Sequence, residues 1–370
     1  MSNLVDNRKK IKWSKKKLWG SGLLLIISAG LFGMSRYVSG FANIYYENIY
    51  LNLVNVIGRG LSIIKFSVYE LIVIGFILFI FIKLIMYIYL KYKKKISLKE
   101  IIIRATANII LYISIFIFLN AVTLGVNAFR PSFAKLTDLK NKDVSEENLT
   151  ELCSYLKDEL NESDNKIQKD QYGLLKLDDS VKEEGINSMK NLGDKYSCLQ
   201  GYYPLPKPYL FSKVMSYQLL EGETDFTLEA NYNNDMPKVD VPSTICHELS
   251  HVRGFNNEDE ANYIGFLACI NSNNYEYQYS GYLMAYSYCM NDLYDSNKEA
   301  FKKINNELSI NVKAELKNDA LYWNKYRGRI SKIHNDAYDK LLKISGQENG
   351  IKSYNAVVKL LVSGYGVQFK

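Results

Sequence analysis

"PSTICHELSHVRGFNNEDEANYIGF", residues 242–266, holds two of the three histidines in the chain, His247 and His251, four residues apart with Glu248 directly after the first. Four residues is one helical turn, so on a helix both imidazoles share a face and reach one metal ion at about 2.0–2.1 Å. Glu248 lies beside them, where a carboxylate can take a proton from a water acidified by zinc and pass it to a leaving amine. The neighbours fit two short helices: Ser243 or Thr244 at the start of the first, Gly254 at the turn, and Glu258 opening the second. The competing reading is a satisfied histidine pair on an ordinary solvated helix.

The donor inventory separates a closed site from an open one. A structural zinc is enclosed by four protein ligands, whereas a catalytic zinc keeps a position free. The remaining histidine, His334, is distant in sequence, and no cysteine stands at metal-ligand spacing. The nearest oxygen donors are Glu258, Asp259 and Glu260. Two histidines and one carboxylate leave a position open, so Zn2+ is the expected cofactor and the site is read as catalytic.

Outward from this stretch the N-terminal third has another character. Apolar runs at about 18–34, 66–90 and 101–125 are long enough, at about 1.5 Å per residue, to cross a hydrocarbon layer of about 30 Å. Lysines and arginines crowd residues 8–17 and 91–99 and are sparse in 35–65. Basic loops stay cytoplasmic, so the N-terminus is expected inside and everything after residue 126 outside the membrane. The formal net charge of +7 is accounted for by these flanks. No basic stripe interleaved with aromatics is present, so a nucleic-acid partner is not expected. Residues 1–126 thus read as a multi-pass anchor in the lipid bilayer, and 127–370 as an extracytoplasmic domain.

That domain is expected to be mainly helical. Residues 145–161 carry an N-cap serine and leucines at 149, 152, 156 and 160, near helical period, and a second helix is expected at about 179–192. "DFTLEANY", 225–232, reads as a strand. Helical patterns follow at 261–270, 282–295, 298–308, 312–333 continuing to about 344, and 353–362. Five cysteines without a CxxC pair define no disulfide framework, although a bridge such as Cys153–Cys198 is compatible with the spacing. Cys246 reads as a small buried residue.

"HELSH" followed by "EDEAN" resembles the gluzincin class of metallopeptidases, whose third ligand is the first Glu of an ExxxD pattern on a second helix. The resemblance implies Glu258 as the ligand, with Glu260 as the alternative. It also implies Asn262, one turn later, as the residue that orients a histidine, where the class has Asp. The order "FRPSF", "KPYLFSKVMSY", "FTLEANYN", "YSGYL" and "GIKSYNAVVKLL" around this core, behind three spans, is similar to a bacterial membrane family known as a domain of unknown function and presumed to be zinc metallopeptidases. That likeness implies a mainly α chain: transmembrane helices, then a helical zincin-like (α+β) metallopeptidase domain with a small sheet. In it "DFTLEANY" would edge the substrate cleft, lined by Glu229 and Asn231, and Tyr279, Tyr282, His334 and Tyr354 are candidates for steadying the oxyanion. The function expected is hydrolysis of a peptide or protein at the membrane surface, with Glu248 as general base. The alternative is a membrane sensor or structural protein that keeps a metal-binding fold without turnover.

Overall fold

The computed structural model describes residues 2–344 and 356–370. The chain is mainly helical: three N-terminal helices of membrane length precede a helical domain with a small three-stranded sheet. It divides into two compact units, Met1–Leu53 with Val68–Arg130, and Val54–Ser67 with Pro131–Lys370.

In the first unit α1 (Ser2–Tyr37), α2 (Val68–Tyr92) and α3 (Leu98–Thr123) carry the membrane-length stretches Ser14–Tyr37, Val68–Tyr92 and Leu98–Thr123. These lie within a few residues of the expected spans. The start of α3 is fixed by a capping box, in which Ser97 Oγ accepts from Glu100 N at 3.2 Å and Glu100 Oε2 accepts from Ser97 N at 3.0 Å. α1 packs along α3. On α1 the buried Ser14, Ser21, Ser28 and Ser35 recur every seven residues, and on α3 so do the buried Ala107, Ser114 and Ala121. Small side chains at heptad spacing let two apolar helices approach closely where no hydrophobic effect drives them together. The hydroxyls of Ser21, Ser28 and Ser35 donate to carbonyls one turn back at 2.8–2.9 Å, so none is left unmet.

The second unit contains α4 (Glu146–Asp164), α5 (Val181–Lys195), β1 (Lys207–Pro208), α6 (Ser212–Gln218), β2 (Gly222–Thr224) and β3 (Ala230–Tyr232). It continues with α7 (Asp240–Val252), α8 (Glu258–Ile270), α9 (Tyr275–Ser296), α10 (Lys298–Asn306), α11 (Ile310–Tyr326), α12 (Arg329–Ile344) and α13 (Val357–Gly364). Leu149, Leu152, Leu156 and Leu160 of α4 are all buried, as their spacing requires, and Ser145 caps the helix through Asn148 N at 3.2 Å. α8 runs through the centre of the core, with Ala261, Tyr263, Ile264, Phe266 and Leu267 fully buried. Gly265 sets its distance from α7: a Cβ there would stand 3.1 Å from His247 N.

Four expectations are corrected. "DFTLEANY" is mostly a turn, closed by Leu228 N donating to Asp225 O at 2.8 Å, and only Ala230–Tyr232 is strand. That strand is the middle of the sheet, with order β1–β3–β2, parallel to β1 and antiparallel to β2, so it presents no free edge. The expected helix over 312–344 breaks before Gly328, whose N–H is taken by Ser331 Oγ at 2.9 Å. Cys153 lies beside Cys289 rather than Cys198, and all five cysteines are free thiols, Cys246 being fully buried beside Cys269.

Candidate metal centre

α7 starts at Asp240, ahead of the expected cap, because Pro242 fits the first helical turn, where its missing N–H leaves no bond unmade. Ser243 and Thr244 therefore lie inside the helix. Ser243 Oγ donates to Asp240 O at 3.1 Å, and Thr244 Oγ1 donates to Glu221 Oε2 at 3.1 Å. α11 holds this end from outside: Trp323 Nε1 donates to Asp240 Oδ2 at 3.4 Å, and the hydroxyls of Tyr322 and Tyr326 donate to Asp235 Oδ2 at 3.1 and 3.2 Å. At the other end Gly254, with φ of 80°, makes the left-handed turn that aims the chain toward α8.

His247 and His251 point from one face of α7 at the first residue of α8. Their Nε2 atoms are 3.0 Å apart, and Glu258 Oε2 lies 3.2 Å from His247 Nε2 and 3.5 Å from His251 Nε2. The other ring nitrogens are taken: Nδ1 of His247 is 2.8 Å from Asn262 Oδ1, and Nδ1 of His251 is 2.8 Å from the carbonyl of Phe255. A ring that donates from Nδ1 presents a bare lone pair at Nε2. Glu258 Oε2 faces the two imidazoles, while Oε1 accepts from Tyr338 Oη at 2.8 Å. Three lone pairs thus face one another in a largely buried space, an arrangement stable only around a positive charge. Among the described residues this trio forms a cluster able in principle to hold a metal ion.

The protonation of the metal-free cluster follows from the same contacts. Burial pushes the His251 pKa down, but the hydrogen bond and charge of Glu258 outweigh it and carry the ring up to about 9. Burial likewise raises Glu258, and the two imidazoles overcome it, leaving the carboxyl well below the usual carboxylate range. Glu248 is raised, first by burial and also by Glu258, against the pull of His247, His251 and Thr224. Its Oε1 is 4.0 Å from His247 Nε2, and its Oε2 accepts from Thr224 Oγ1 on β2 at 2.8 Å.

The remaining candidates divide. Asn262 stands where expected, against the His247 ring. Glu260 does not join the cluster: its Oε1 accepts from Phe133 N and its Oε2 from Asn257 Nδ2 at 3.0 Å, so it anchors the start of α8. Asp259 Oδ1 accepts from Glu260 N at 2.9 Å in the same turn. Glu229 is fully buried in an ion pair with Lys207, which also donates to Leu61 O at 2.8 Å, and Asn231 is fully buried on the central strand. Neither is on a cleft surface. Tyr279 is buried near Glu315 and Asp164, and Tyr282 packs on Phe266 and Tyr155, so the structure brings neither to the cluster. His334 stacks on Tyr338, with ring centroids 5.7 Å apart, and approaches the cluster only through it. Tyr354 lies outside the described residues.

Thr224 and Tyr338 escape sequence reasoning. The one available signal for Tyr338 is its position one turn after His334, which does not distinguish it among 30 tyrosines.

A family described as "Protein of unknown function (DUF3810)" matches residues 45–362. The chain belongs to the DUF3810 family. The match takes in α2, α3, the sheet, and every residue of the cluster with Thr224 and Tyr338, and it begins after α1, later than the resemblance over all three spans implied. No curated protein and no solved structure matches this DUF3810 chain.

Proposed function

We propose that this chain is a membrane-anchored zinc-dependent endopeptidase of the gluzincin type, with residues 1–126 as the anchor and 127–370 as a zincin-like domain outside the membrane. The observation that carries the reading is the convergence of His247 Nε2, His251 Nε2 and Glu258 Oε2 at separations of 3.0, 3.2 and 3.5 Å. Donors at about 2.0–2.1 Å from a tetrahedral zinc stand about 3.3–3.4 Å apart, so the trio fits that ion and supplies three of its four positions. Zinc held there would polarise the scissile carbonyl and acidify a water.

The protein's own groups would do the rest. Asn262 and the Phe255 carbonyl fix the two rings, and Tyr338 fixes the carboxylate. Glu248 takes the proton from the attacking water and delivers it to the leaving amine, its carboxylate oriented by Thr224. β2 carries Thr224 and is paired on one side only among the described residues, so an extended peptide can add to its other side through main-chain hydrogen bonds. The lysine and arginine distribution supports a cytoplasmic N-terminus and an external domain, and in this reading the substrate peptide is cut on the external side of the membrane.

A second reading, a membrane sensor or structural protein that binds a metal without turnover, needs the same trio and no base. It is favoured by the burial of Glu248, which pushes its pKa up and so disfavours the ionised form a base requires. The test is Glu248→Gln in the full chain in lipid nanodiscs. Retention of one zinc with loss of peptide hydrolysis supports the peptidase. A cellular phenotype that needs His247 and Glu258 but survives Glu248→Gln assigns the sensor.

A further inference from the structure

Asn262 stands where a carboxylate would act differently. Its Oδ1 is 2.8 Å from His247 Nδ1, and a carboxamide oxygen only accepts, so the ring donates from Nδ1 and keeps a lone pair on Nε2. With the amide turned over, Nδ2 would face the ring, Nδ1 would have to accept, and the proton would sit on Nε2, where a metal needs the lone pair. A carboxylate has two equivalent oxygens and no wrong way round. An asparagine here therefore has to be held in one orientation from its other end.

That other end meets α9, which packs against both α7 and α8. Asn262 is buried, and its Nδ2 donates to Tyr288 Oη at 3.5 Å, the long end of hydrogen-bond range. A phenol can also donate, so the contact fixes the amide only where the phenol proton is drawn elsewhere. Burial first, and then the charges of Glu221, Glu258 and Asp240, push the Tyr288 pKa up, so the hydroxyl keeps its proton. Negative charge on these neighbours also attracts that hydrogen, which leaves the oxygen lone pairs to Asn262 Nδ2.

We propose that Tyr288 is a positioning residue of the metal centre, which locks the Asn262 amide and through it presents the Nε2 lone pair of His247. This role rests on the zinc centre of the preceding reading and not on turnover, so it serves the peptidase and the sensor alike. It also accounts for an amide where the gluzincin class has Asp. Glu221, Glu248 and Glu258 already act on His247, and a neutral side chain held by a phenol supplies the acceptor without adding a further negative charge.

The test is a double-mutant cycle in the full chain in lipid nanodiscs, read by chelator competition for zinc. Tyr288→Phe keeps the ring and should weaken zinc binding about 10-fold, the lower end of the range for groups that orient a ligand, with an unchanged circular dichroism spectrum. In the Asn262→Asp background, where the acceptor has no wrong orientation, the same substitution should change the affinity by about twofold or less. Tyr338→Phe, which acts on Glu258 instead, should cost the same in both backgrounds. Unchanged zinc affinity in Tyr288→Phe, or an equal loss with Asn262 and with Asn262→Asp, overturns the role of Tyr288 and leaves the metal centre standing. Absence of zinc from the unaltered chain overturns the centre itself and the role of Tyr288 with it.

Discussion

Metal binding at this centre should expel a proton, and the count is fixed by the contact between His251 and Glu258. In the metal-free chain Glu258 carries the His251 pKa from an ordinary 6.5 up to about 9, so at pH 7 the ring holds about one full proton. A metal can take the His251 lone pair only after that proton leaves. Apparent zinc affinity should therefore rise about tenfold per pH unit, or about 100-fold from pH 7 to 9, and flatten above. Calorimetry in buffers of different ionisation enthalpy counts the protons directly, with about one released at pH 7 and close to none at pH 10. The same shift gives the metal-free fold a pH-dependent stability. The folded pKa of His251 lies above the unfolded one, so its contribution is fully present below about 6.5 and is lost as the pH rises through about 9. At 1.36 kcal/mol per unit the loss is about 3 kcal/mol. The ion pair also lowers Glu258, whose side of the same contribution is present above about 4.5 and lost only as the pH falls well below that, so the energy belongs to the pair and is counted once. No proton release at pH 7, or a zinc affinity independent of pH between 7 and 9, would refute the imidazolium–carboxylate pair and the convergence of lone pairs built on it.

Two further substitutions probe the supports of the site. Tyr338→Phe keeps the ring that stacks on His334 and removes the 2.8 Å hydrogen bond to Glu258, so chelator competition should show zinc held about 10- to 100-fold more weakly, with an unchanged circular dichroism spectrum. Lys207→Met takes the cation out of the fully buried ion pair with Glu229, which should cost about 3–5 kcal/mol in chemical unfolding, while Lys207→Met with Glu229→Leu should recover most of it.

The His247–His251–Glu258 cluster, able in principle to hold a metal, and the residues that orient it differ in how far sequence alone reveals them, and the packing of α7 explains why. A spacing of four residues becomes one helical face by backbone geometry, so His247 and His251 are legible with no knowledge of the fold. The spans are legible for a similar reason, since lipid admits only segments that satisfy their own backbone. Choosing Glu258 over Glu260 needs the tertiary structure, because what removes Glu260 is the amide of Phe133, 127 residues earlier. A small sheet is expected, but its strands hide because runs of two or three residues are too short to show a period. The groups that orient Glu248 and Glu258 hide for a further reason. On α7 the positions around the histidines, Cys246, Leu249, Ser250 and Val252, are all spent in the core, so the helix has no neighbouring side chain free to grip its own carboxylate. Control has to come from the open side of the site, and it does so from Thr224, 24 residues before Glu248, and Tyr338, 80 residues after Glu258.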